Sequence, residues 1–172
     1  DFERGKSYME QARKLRGEYA KALSAREQQW FEAISALYAP EFKEDKQRYQ
    51  AHIDRLAGIV LQFPEDLEAK AFLALQTWNF RIAADGATPD EVTTLTTEAD
   101  RLIELILSAK PNHPAHHYKI HLWNNGTDDF RALDSARTSG PSQPQTAHLW
   151  HMPAHIFACL LYTSPSPRDR QK

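Results

Sequence analysis

Apolar residues recur at steps of three and four along most of this 172-residue chain, and that spacing places them on one face of an α-helix. In the first segment the stripe is Tyr8, Ala12, Leu15, Tyr19 and Ala22. Ser24 and Glu27 then form a capping-box pair: the hydroxyl accepts from an orphan amide while the carboxylate reaches back. The helix they open carries Trp30, Ile34, Leu37 and Tyr38, and Pro40 ends it by removing a donor and crowding the preceding turn. A third stripe, Tyr49, Ile53, Leu56, Val60 and Phe63, stops at Pro64. A fourth buries Leu67, Ala71, Ala74, Leu75, Trp78 and Ile82, and Asp85-Gly86 supplies a turn.

Thr88 caps a fifth helix with Pro89 at its first position and two acids in its first turn, where they complement the dipole. Its buried side is Val92, Leu95, Ala99, Leu102, Ile103 and Ile106. After the breaker-rich stretch 110–114, a short sixth helix runs to about Trp123, and 124–126 is a turn. A seventh runs from Asp128 to about Thr138, and Ser139 to Pro144 reads as the longest loop. A final helix spans about His148 to Leu161. Only six glycines occur, and no Val/Ile-rich alternating run does, so strands are not expected. Short connections imply antiparallel helical hairpins stacked into a solenoid, an all-α fold.

Charge and composition narrow the function classes. A formal charge of -2 gives no global attraction to nucleic acid, and no apolar run reaches the roughly 18–20 residues that insertion into a membrane requires. The single cysteine cannot form an internal disulfide. No G-x-S-x-G, Walker-type loop, C-x-x-C or H-E-x-x-H occurs, so a catalytic assignment has no motif to stand on.

Two stretches resemble tetratricopeptide repeats: Phe63 to Leu67 leading into an Ala-rich helix, and Ala99 to Ala109 followed by the prolines at 111 and 114. Small residues at these positions let paired helices approach, and proline marks the hand-over between units; from Pro64 to Pro111 the spacing exceeds the usual period of about 34. A more specific resemblance, from about Ser24 to Phe157, is to a group of bacterial tetratricopeptide-like proteins of unassigned activity. The strings that carry it are Ser24-Ala-Arg-Glu-Gln28, His113-Pro-Ala-His-His-Tyr-Lys-Ile-His121 and Ala147-His-Leu-Trp-His-Met-Pro-Ala-His-Ile156. The resemblance implies an irregular helical-repeat domain over residues 1–158, truncated at both ends, in a group whose members are often exported. It supplies no catalytic set. Residues 159–172 are of another kind: the Ser/Pro/Arg-rich tail is expected to be disordered, and Cys159 to Asp169 resembles translated sequencing-adaptor read-through.

Two functions follow as expectations. The first is a non-catalytic protein-interaction scaffold whose groove takes a protein or peptide, with Tyr118, Trp123 and Trp150 as partner contacts; the segment could equally bridge flanking domains of a longer chain. The alternative comes from seven of the eight histidines, which fall between 113 and 155. His117 and His121 are four apart and share a helix face, as do His151 and His155. Two such pairs on adjacent helices could deliver four imidazole nitrogens to zinc or another divalent transition metal. Against this, Pro153 belongs in a first helical turn and so places His151 at or before a helix start, and histidines also pack at helix seams. His52, alone on its helix, is read as solvent-facing or packed.

Overall fold

A computed structural model describes residues 2–19, 23–83 and 88–163. The fold is all-α; among the described residues there is no strand. The expected turn at Asp85-Gly86, Ala22 of the first stripe, and the tail from residue 164 lie outside the described residues. The helices are α1 (Phe2–Tyr19), α2 (Ala25–Ala36), α3 (Asp45–Gln62), α4 (Leu67–Ala83), α5 (Pro89–Ala109), α6 (Ala115–Trp123), α7 (Leu133–Ser142), α8 (Ala147–His151) and α9 (Pro153–Thr163), with a 3-10 turn at Asp129–Ala132. None of the described helices is long and apolar enough to cross a membrane. Contacts gather the chain into two compact units, 1–95 and 96–172.

In the first unit, consecutive helices pack on one another, α2 on α3 and α3 on α4. The core joins Ala33, Leu56, Ile59 and Ala69, all fully buried, with Trp30, Val60, Phe63 and Leu73 packed around them. Each large side chain so buried contributes about 1.5–3 kcal/mol relative to exposure. The Ser24 and Glu27 capping box is present. Asp66 begins α4: its carboxylate accepts from the Ala69 amide (3.1 Å), from Arg26 (2.6 Å) and from the Trp30 indole (3.1 Å). Burial alone would raise its pKa, but the bonds from Arg26, Ala69 and Trp30 together outweigh it and hold the carboxyl below its ordinary value.

Two of the expected stripes are rotated. On α1, Tyr8 and Leu15 are more than half exposed while Met9 is buried, because the helix turns Gly5 and Phe2 toward the Tyr38 ring. On α2 the buried residue is Ala33 and Ile34 faces out; on α4 Ala71 and Ala74 are buried as expected, joined by Ala69 and Thr77, and Ile82 is exposed. Small residues occupy the closest approaches, so the largest apolar side chains do not mark the seam. His52 is packed: only 4% exposed, its Nδ1–H donates to the Ala33 carbonyl at 2.6 Å across the α2–α3 seam.

α5 begins in the first unit, where the capping box of Thr88 with Glu91 is formed, and within the second unit it buries Thr96, Ala99, Ile103 and Ile106. α7 packs against α6, α8 and α9. The long loop expected at 139–144 is a correction: α7 continues through Gly140 and Pro141 to Ser142. Its breakers are overridden by packing, since Ser139 is fully buried with its hydroxyl donating to the Leu149 carbonyl (3.1 Å), and Gly140 lies against the Trp150 ring. The single final helix is also divided. Pro153 begins α9 and His151 ends α8, joined through Met152, whose backbone stays helical (φ -55°, ψ -39°). α9 runs on through Cys159 to Thr163.

Candidate metal centre

The site is assembled by α6, α8 and α9, all within the second unit. α6 is fixed to α5 by polar bonds at its rim: the Trp123 indole donates to Asp100 (2.7 Å), Lys119 pairs with Asp100 (3.5 Å) and with Glu104, and the Arg131 guanidinium covers the Trp123 ring at 3.9 Å. Two histidines serve this framework. His113 is 3% exposed and its Nδ1 accepts from the Ala115 amide at the start of α6 (3.0 Å). The His116 ring spans the Pro111 carbonyl (2.7 Å), to which Nε2–H donates, and the Ser135 hydroxyl (3.0 Å). With both nitrogens of His116 engaged and His113 buried with its Nδ1 bonded, these side chains are seam histidines.

The other five converge. His117, His121 and His148 each present a nitrogen within 4.8 Å of the others. The Nε2 atoms of His117 and His148 are 3.2 Å apart, as are those of His151 and His155. Ring centroids are 4.7 Å apart for His117–His121, 6.5 Å for His121–His155, 5.0 Å for His155–His151, 6.1 Å for His151–His148 and 4.8 Å for His148–His117. The five imidazoles thus form a closed circuit. As neutral rings, each 3.2 Å pair is one Nε2–H donating to the other's lone pair. The same separation suits two ligands of one ion, because nitrogens about 2.0–2.1 Å from a tetrahedral centre stand about 3.3–3.4 Å apart.

Electrostatics favour the metal-ready form. Burial, then the neighbouring His121 and His148, pushes His117 down to about 4, so it is neutral at pH 7. His121 is lowered by burial first and then by His155 and His148. Neutral imidazole is the ligating species, so binding requires no net loss of a proton from either ring, only that each ring's proton sit on the nitrogen turned away from the ion. The three-nitrogen group contains no carboxylate or thiolate, a donor set that matches zinc or copper far better than calcium or magnesium.

Of the four ligands expected from spacing, His117 and His121 come together, but with His148 rather than with both members of the other pair. His151 and His155 face each other alongside. Pro153 does not disrupt that pair, because Met152 keeps the helical path between α8 and α9. His148 was legible too: 148, 151 and 155 step by three and four and share a face. Among the expected partner contacts, Tyr118 is half-buried, with its ring 5.8 Å from His117, and Trp123 is 5% exposed and part of the core. Trp150 is 54% exposed, yet its indole N–H donates to the Pro144 carbonyl (3.1 Å) and its ring seats on Gly140. That seating helps to aim His148, two residues before it. No family model, curated protein or solved structure matches the chain.

Proposed function

We propose that the second unit binds a divalent transition metal of the zinc–copper class through His117, His121 and His148. The supporting observation is the convergence of three nitrogens from two different helices within 4.8 Å. Small side-chain rotations bring them to the spacing one ion needs. Three neutral ligands leave a fourth position for solvent or substrate, as in catalytic rather than closed structural zinc sites. On this reading the helical hairpins are the frame that holds the ligands, and tetratricopeptide-like kinship describes the frame. Zinc competition against a chromophoric chelator, using protein without a histidine tag, tests the proposal. Uptake is expected for the native chain and for His52→Gln, and a loss of at least tenfold in affinity for His117→Ala or His148→Ala. Equal affinity in all four contradicts it.

A peptide-binding scaffold is the second reading, supported in the first unit by Leu61 and Ile82, which stand 85% and 61% exposed. Mutating these two to serine would abolish partner capture under that reading and leave zinc uptake unchanged; capture that survives the double change counts against it.

A further inference from the structure

His151 and His155 are not needed by the three-histidine ion, yet their geometry repeats it. Their Nε2 atoms are 3.2 Å apart, the same as the His117–His148 pair. His151 is exposed and His155 half-buried, so neither is held in place by a tight core. The pair is also contiguous with the triad on both sides, through His148 to His151 (6.1 Å) and His121 to His155 (6.5 Å). One ion cannot account for all five rings: the nitrogens that lie mutually within 4.8 Å belong to His117, His121 and His148, without the other two.

We infer that the histidine circuit is a two-ion centre, with one divalent transition ion on His117, His121 and His148 and a second on His151 and His155. The inference rests on the three-histidine reading. Two ions in adjoining positions stand about 3.5–4 Å apart in known two-metal arrangements. The second has two protein ligands, so at least two of its positions go to solvent. Five neutral donors leave the ions' positive charge uncompensated by the protein, which favours hydroxide or a small anion as the ligand shared between them. A bound water in such a site loses its proton far more readily than bulk water. The centre would accordingly accept substrates or inhibitors that present an oxygen anion.

Stoichiometry with copper(II) and cobalt(II) on the intact, tag-free chain tests this. Two equivalents are expected for the native protein and one for the double change His151→Ala with His155→Ala. One equivalent in both proteins overturns the second position while leaving the first in place; no uptake by either overturns the three-histidine reading as well. A readout on the unaltered chain covers the case of a poorly folded variant. At two equivalents of copper(II), paramagnetic resonance should show a spin-coupled pair with loss of most of the isolated-ion signal. Two full equivalents of uncoupled copper would overturn the adjoining arrangement.

Discussion

At Asp66 one carboxylate holds three partners: a guanidinium, an indole and the third amide of α4. Removing it leaves a buried indole N–H and a helix-end amide without acceptors, and each such orphan costs more than the bond itself is worth. Asp66→Ala should therefore destabilise the first unit by about 2–4 kcal/mol. Urea denaturation checks this, and a loss below about 0.5 kcal/mol would remove Asp66 from the account. His52 makes a second prediction at this scale. Burial holds its pKa below 6.5 despite the Ala33 bond that raises it. The folded state thus binds fewer protons than the unfolded one, and His52's contribution to stability is complete above about pH 6.5 and declines as pH falls through that value. It is the only histidine in residues 1–95. Amide exchange across α2 and α3 should accelerate between pH 7 and pH 5, after correction for intrinsic rates, and His52→Gln should flatten the trend. An equal trend in the variant would assign it to other groups.

The elements were legible where a cap or a proline fixes an end, and less so where packing decides. Ser24 with Glu27 and Thr88 with Pro89 mark the starts of α2 and α5 through chemistry contained in a few residues. The burial faces of α1 and α2 depend on Gly5 approaching Tyr38 and on Ala33 accepting the His52 seam, which no periodicity of large side chains records. α7 is the sharpest case, since its Gly140-Pro141 pair reads as a loop and folds as helix because Trp150 occupies the space beside Gly140. An added Cβ there would sit 2.5 Å from the indole ring. Gly140→Ala should cost about 1–3 kcal/mol and weaken metal uptake by displacing α8 and its His148. Gly58→Ala is the matched control: nothing lies within 4 Å of its added Cβ, and in the exposed interior of α3 it should stabilise by about 0.5–1 kcal/mol. Thermal unfolding of the two variants should move in opposite directions. Equal losses would mean that the contact at Trp150 does not govern α7.

Across the molecule, the histidine-rich strings reveal their meaning only when they are brought together. Spacing of four identified the pairs 117/121 and 151/155, because that relation is local to a helix. The place of His148 beside the first pair depends on how α8 docks on α7 through Ser139 and Trp150, an arrangement set by contacts remote in sequence. The same docking separates the seam histidines His113 and His116, which are buried and bonded within the frame, from the five that face one another. The most direct measurement is anomalous diffraction at the zinc edge from zinc-loaded crystals of the intact chain. The account predicts a peak about 2.0–2.1 Å from nitrogens of His117, His121 and His148. Zinc bound only elsewhere, with His117 and His148 keeping their hydrogen bond to each other, would contradict it.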